Sequence, residues 1–273
     1  MKSAWDTRIR RATELISAYP FAAEGLRFYA QIAMLQQQLH SELGRSPDDF
    51  FLAESSGWER LNPSALPARF SRFLTNVSQV APAVLARAAS DLLQRGSASW
   101  LRLLEEFWQT PRTSFDGDET QEAVLAHRSL AWLFLQPFAE YLASRRNGVV
   151  VDESAVRCPL CGGAPIVGVL RAEGDGAKKS LICMLCAHEW AFRRIYCPSC
   201  GEERESHMAF YSAPEIPHVR VDVCDTCRTY LKSVDLTKTG LAVPIVDELA
   251  TLPLDLWARE QGYRKLQVNI VGI

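Results

Sequence analysis

All eight cysteines of this 273-residue chain fall in four Cys-x-x-Cys pairs, Cys158/Cys161, Cys183/Cys186, Cys197/Cys200 and Cys224/Cys227. No other feature constrains the fold as much. A Cys-x-x-Cys knuckle reverses the chain so that two sulfurs face one point, and two facing knuckles supply the four thiolates of a tetrahedral metal site. Eight sulfurs therefore make two closed sites. The first and third pairs read Cys-Pro-x-Cys-Gly, where proline presets φ in the turn and glycine can take the left-handed conformation that closes it.

Spacing suggests how the pairs combine. Cys161 and Cys183 are separated by 21 residues, Cys200 and Cys224 by 23, and Cys186 and Cys197 by only 10. Two similar modules in tandem are the expectation, each a small hairpin sheet stapled by its metal. The strand-like runs are 164–170 in the first and 217–223 in the second, the latter with the two-residue period of a half-exposed strand. A cross-brace, with the first and third pairs on one ion, is the rival arrangement. Disulfides are the other use of eight cysteines. The opening Met1-Lys2-Ser3-Ala4-Trp5-Asp6-Thr7-Arg8 has no apolar core and no small-residue cleavage site, so reduced thiols and a cytoplasmic location are expected. Thioredoxin-like chemistry needs a pair at a helix N-terminus, whereas these pairs fall between turns and short strands. His188, His207 and His218 lie within the modules, but four sulfurs per site leave them no vacancy.

The rest of the chain reads differently. Residues 1–147 contain no cysteine and carry helical periodicity at 8–19, 21–43, 67–78, 82–95 and 97–109, with a Gly/Pro/Ser/Asn-rich loop over 44–63. In the second stretch Leu26, Tyr29, Ile32, Ala33 and Gln36 share a face. The most apolar run, from Leu130 through Phe138 to Leu142, is a buried helix with Pro137 inside it, a capping box at 118–121 and a stop at Arg145-Arg146-Asn147-Gly148. Residues 244–262 again have helical period, with Ile245, Leu249, Leu252 and Leu256 on one side, an interruption at Pro253 and a stop at Gly262. The fold class is therefore α+β: a multi-helix domain over 1–148, a first four-cysteine module over 149–192, a second over 193–238, and a helical extension over 239–273 that packs on the rest.

Catalysis finds no support. There is no phosphate-cradling glycine loop, nucleophile elbow or His-Glu-x-x-His, and the acidic residues look scattered as on a solvated surface. A non-enzyme is expected, because closed four-cysteine sites leave no coordination position for substrate. No run reaches the 18 or so apolar residues of a membrane span, so no membrane insertion is expected. Zinc ribbons often bind nucleic acid, but residues 151–240 hold 11 Lys+Arg against 12 Asp+Glu. That balance lacks the positive footprint phosphate binding requires, and a protein partner fits better than nucleic acid.

The order of a helical half, Cys-Pro-Leu-Cys-Gly-Gly-Ala-Pro (158–165), Cys-Met-Leu-Cys-Ala-His-Glu-Trp (183–190), Arg194-Ile195-Tyr196-Cys197 and Cys224-Asp225-Thr226-Cys227-Arg228-Thr229-Tyr230-Leu231-Lys232 resembles the formate dehydrogenase accessory protein FdhE family. The tail agrees, with Glu248-Leu249-Ala250-Thr251, Asp255 and Glu260-Gln261-Gly262-Tyr263. The resemblance implies a cytoplasmic assembly factor, a dedicated chaperone that binds the catalytic subunit of a respiratory formate dehydrogenase before its export. It implies rubredoxin-like sites in which Cys158, Cys161, Cys183, Cys186, Cys197, Cys200, Cys224 and Cys227 hold two metals, iron ahead of zinc. It allows a homodimer. Thiolate chemistry alone accepts either metal. A nucleic-acid-binding zinc ribbon and an iron-dependent redox protein are the alternative functions.

Overall fold

The computed structural model describes residues 3–52, 57–111, 120–146, 152–174 and 176–272. Helix α1 (Ala4–Ala18) starts before the expected Arg8 because Ser3 caps it: the Ser3 hydroxyl accepts the Asp6 N–H while Asp6 accepts the Ser3 N–H. Helix α2 (Ala23–Arg45) buries Leu26, Tyr29, Ile32, Ala33 and Gln36, the face its periodicity selects. The stretch expected as loop contains a short α3 (Pro47–Phe50), and Phe50 is fully packed beneath α7. Helices α4 (Leu66–Val80), α5 (Ala83–Arg95) and α6 (Ser97–Gln109) follow. Between the last two, Gly96 at φ 78° makes the joint in a single residue.

Helix α7 (Thr120–Ala143) runs through the middle of this half, with Leu130, Phe134, Leu135 and Phe138 excluded from solvent. Pro137 has no N–H for the carbonyl of Leu133, four residues before it. Gln36 of α2 takes over that acceptor, donating from Nε2 to Leu133 O at 2.8 Å and to Gln136 Oε1 at 2.9 Å. A buried glutamine on an apolar helix face is thus explained by a proline on its neighbour. The capping box expected at 118–121 and the stop at Asn147-Gly148 fall outside the residues whose side chains are described.

The cysteine-bearing half differs from two separate hairpins. Strands β1 (Pro165–Glu173), β2 (Gly176–Cys183), β3 (Glu189–Ala191), β4 (Met208–Ala213), β5 (Ile216–Cys224), β6 (Thr229–Asp235) and β7 (Arg264–Lys265) form one sheet in the order β3-β2-β1-β6-β5-β4, with β7 on β6. The join is the parallel pair β1–β6, registered Gly168↔Ser233, Val169↔Val234 and Leu170↔Asp235. Its cause is visible in the burial: β1 is buried continuously from Pro165 to Leu170 and β6 from Tyr230 to Val234, so neither could serve as a solvated edge. Gly168 allows the approach, since a Cβ there would lie 2.1 Å from Ser233 Oγ.

The expected helix over 244–262 is two helices, α8 (Pro244–Ala250) and α9 (Leu252–Glu260), broken at Thr251. The break resets the helical phase, and the expected apolar face is corrected accordingly. Val246, Leu249, Ala250, Leu254 and Ala258 are buried, whereas Leu256 is 52% exposed. Pro253 sits in the first turn of α9, where its missing N–H costs nothing, and Gly262 at φ 78° closes the end.

Acidic residues depart further from expectation. Asp247, Glu248 and Asp255 are at most 1% exposed, and Lys232 is buried completely. Lys232 Nζ lies 3.1 Å from Glu248 Oε1 and 2.5 Å from Asp255 Oδ2; Lys265 reaches both carboxylates, and Tyr230 donates to Asp255 Oδ1 at 2.9 Å. Two cations and two anions cancel, which is what permits such a cluster under α8, α9 and β6. A second buried carboxylate joins the halves: Asp247 takes both arms of Arg11 from α1 at 2.9 and 2.6 Å and faces His218 Nε2 of β5 at 3.0 Å. Burial would raise the Asp247 carboxyl, but His218 and Arg11 outweigh it and hold it below the usual range. Trp132 of α7 donates to Met184 O at 2.8 Å, and one hydrophobic core runs through both halves.

Candidate metal centres

Sequential pairing describes the geometry. The sulfurs of Cys158, Cys161, Cys183 and Cys186 gather in one group and those of Cys197, Cys200, Cys224 and Cys227 in another, each within 4.8 Å of one another. In the first, Cys158–Cys186, Cys161–Cys183 and Cys161–Cys186 are 3.5, 3.4 and 3.4 Å apart. In the second, Cys197–Cys227 and Cys200–Cys224 are both 3.7 Å apart. A tetrahedron with bonds of about 2.3 Å has edges of about 3.8 Å, so these groups are close to the size a four-thiolate ion needs and far outside disulfide bonding distance. The four donors fit such an ion, zinc or iron, without rearrangement of the backbone.

The knuckles owe their shape to local rules. In the first and third, the Gly162 N–H returns to Cys158 O and the Gly201 N–H to Cys197 O at 2.9 and 3.0 Å, with the glycines at φ 72° and 75°. The same left-handed residue follows the other two pairs, yet it is Ala187 at φ 52° and Arg228 at φ 55°. Backbone amides also reach the sulfurs, Leu185 N to Cys183 at 3.3 Å and Ser199 N to Cys197 at 3.4 Å. Such donors favour the thiolate form. Gly163 stands where no side chain fits: its Cβ would lie 2.7 Å from Cys183 Sγ and 3.3 Å from Cys161 Sγ.

Burial separates the two centres. Cys158, Cys183 and Cys186 are buried, and Met184 and Leu185 between the latter pair are 1% exposed where they pack against the helices. Cys200 is exposed, Cys227 is half-buried, and the Asp225 and Thr226 side chains of the last knuckle face solvent. Burial, and after it the neighbouring sulfurs of each group, push the Cys183 and Cys197 thiols up. A coordinated cation reverses that preference by stabilising the thiolates, so this donor set suits a metal better than free thiols. His188, His207 and His218 belong to neither group; His207 faces Thr226 and His218 faces Asp247.

All eight residues singled out by spacing are thus brought together. Sequence reasoning missed Gly163, Ala187 and Arg228, and the signal for the last two was positional, since each occupies the place that glycine fills in Cys-Pro-x-Cys-Gly.

Comparison with known proteins places this geometry. The family descriptions "FdhE, central domain" and "FdhE, C-terminal domain" match residues 157–194 and 195–271, covering both four-cysteine groups and the β7 segment. The chain belongs to the FdhE family. A protein FdhE homolog from Pectobacterium carotovorum is 26% identical over 98% of this chain and 87% of its own length. The homolog from Aquifex aeolicus is 34% identical over 42% of this chain, and the chain spans 41% of that relative's length. The crystal structure of the FdhE protein from Pseudomonas aeruginosa superposes with a TM-score of 0.67 over 99% of this chain and 96% of that one, at 24% identity. That last likeness is one of fold, and it extends the FdhE architecture to the helical half. No helix among the described residues is long and apolar enough to cross a membrane.

Proposed function

We propose that this chain is an accessory protein in the maturation of formate dehydrogenase, binding the enzyme's catalytic subunit in the cytoplasm before export. Membership of the FdhE family motivates the reading. The observation that carries it is the form of the metal centres: four sulfurs in each, complete as a tetrahedron, with no position left for a substrate. Such centres suit holding loops rigid for recognition rather than catalysis. We assign Cys158, Cys161, Cys183 and Cys186 to one ion and Cys197, Cys200, Cys224 and Cys227 to the other, with iron as the metal.

The test is complementation of a deletion strain, read as formate oxidation by its membranes. The unaltered gene restores activity, and Cys158→Ser/Cys161→Ser does not, because a two-thiolate site binds metal far more weakly and metal binding supplies folding energy. Unchanged formate dehydrogenase in the deletion strain would remove the proposal. Metal analysis of anaerobically purified protein is expected to find about two ions per chain, and X-ray absorption four sulfur neighbours at about 2.3 Å. Nitrogen ligation or a single ion would contradict the assignment.

A further inference from the structure

A cleft of about 350 Å³ opens between the helical half and the first metal centre, lined by two tryptophans and three arginines. Trp58 and Trp108 form an aromatic wall with ring centroids 6.4 Å apart. Arg60, Arg145 and Arg146 line it as well, and among the described residues no carboxylate does. Leu160, Cys161 and Cys186 bring the first metal knuckles to its floor. Three guanidiniums therefore converge on one cleft in a chain whose net charge is −2.

Local structure occupies these cations only in part. Arg146 Nη1 donates to Leu160 O at 3.2 Å, and Arg145 lies over the Tyr141 ring at 4.2 Å. Arg60 Nε is shut off from solvent, and no group among the described residues accepts its proton. No arginine here forms a described ion pair, unlike Arg8 or Arg11, whose carboxylate partners lie within 3 Å. A buried cationic donor without an acceptor favours an acceptor supplied from outside.

We propose that this cleft docks an acidic segment of the client protein, a carboxylate going to Arg60 and the rim arginines and a neighbouring apolar side chain to the tryptophan wall. The proposal rests on the accessory reading above and adds the surface that serves it. Two features favour a protein segment over a small molecule. Small-ligand pockets enclose most of their ligand, whereas Arg145 and Arg146 are exposed at the mouth. Tryptophan and arginine are also the residues that dominate binding energy at protein interfaces, and planar guanidiniums match carboxylates in a two-pronged geometry. The position on the first metal knuckles ties client binding to metal: losing that ion removes the floor of the cleft.

Biolayer interferometry of the full, metal-loaded chain against purified formate dehydrogenase catalytic subunit tests this. The variants are Arg60→Gln/Arg145→Gln, with Arg60→Lys/Arg145→Lys as the charge-retaining control, each checked for two metals per chain and an unchanged circular dichroism spectrum. The glutamine pair is expected to bind at least tenfold more weakly and to lose much of the salt dependence of the unaltered complex, because screened charge attraction is what it lacks. The lysine pair recovers part of the affinity. Equal affinity and equal salt dependence in all three proteins overturns the docking site and leaves the accessory reading intact. No binding by the unaltered chain overturns both. Displacement of the subunit by millimolar GMP, but not by a capped Asp-Glu-Phe-Asp peptide, makes the cleft a nucleotide site and also overturns the inference.

Discussion

Gly168→Ala is the sharpest probe of the single sheet. In an ordinary strand this change stabilises by about 0.4–1 kcal/mol, because alanine loses less backbone freedom on folding. Here the new methyl would stand 2.1 Å from Ser233 Oγ and 3.1 Å from its Cβ, on the strand registered opposite. The hydroxyl has to turn away, yet it donates at 2.7 Å to Asp222, a buried carboxylate that also takes Lys179 at 2.8 Å. Overpacking costs about 1–3 kcal/mol and a lost hydrogen bond to a charged group about 1.5–3 kcal/mol, so a net destabilisation of about 3–5 kcal/mol is expected. Ser233→Ala alone forfeits the hydrogen bond, about 1.5–3 kcal/mol, but makes room for the methyl. The double variant should therefore cost little more than Ser233→Ala alone, which makes it about 3–5 kcal/mol more stable than the sum of the single changes. Anaerobic denaturant titration of metal-loaded protein measures all four corners of this cycle. Costs that add to within about 0.5 kcal/mol, or a Gly168→Ala protein as stable as the parent, would refute the close parallel join.

Gly163→Ala is expected to reduce metal content from two ions toward one, since its methyl would sit 2.7 Å from Cys183 Sγ, while Gly240→Ala, with open space around it, leaves both; metal analysis of the two variants decides. Chelator should strip the ions in two phases, the second centre first because Cys200 is exposed, and Cys197→Ser/Cys200→Ser should abolish the fast phase alone. Asp247→Asn is expected to cost about 3–5 kcal/mol at pH 7, where the buried Arg11 pair is broken. Because the folded carboxyl is held below its unfolded value near 4, its contribution is present above that pH and lost as pH falls through the folded value. The stability gap between the Asn variant and the parent, measured at equal metal loading, should therefore narrow below pH 4; a constant gap contradicts the assignment.

How much of this was legible in the sequence follows from the range of each interaction. The Cys-x-x-Cys spacing is local, and so is the left-handed residue after each pair; the near-equal loops made sequential pairing readable as well. Helices α2 and α4–α6 announced themselves through a period of 3.6 because one face of each is buried. What escaped is long-range. Nothing in Thr229–Asp235 says that it will pair in parallel with Pro165–Glu173 rather than remain within its own module. Lys232, Glu248, Asp255 and Lys265 read singly as surface charges, and only the fold brings them to one buried point. Gln36 looked like a polar residue on an apolar face until Pro137 of another helix supplied the carbonyl it serves. The Leu256 misassignment has a local cause, one non-helical residue at Thr251 that rotates everything after it.

The small strand β7 sets an order of events during synthesis. Lys265 neutralises the second of two buried carboxylates, and Val271 lies against α2, where a Cβ on Gly25 would come within 2.9 Å of its Cγ1. Residues 264–272 leave the ribosome after every element they pin. At about 5–20 residues per second, the slot on α2 stays open for roughly 12–50 s after Gly25 is made, and the carboxylate pair keeps an excess negative charge until Lys265 arrives. Cys227, by contrast, completes the thiolate set some seconds earlier. A nascent chain can thus complete both four-sulfur sets while the slot at Gly25 is still uncovered.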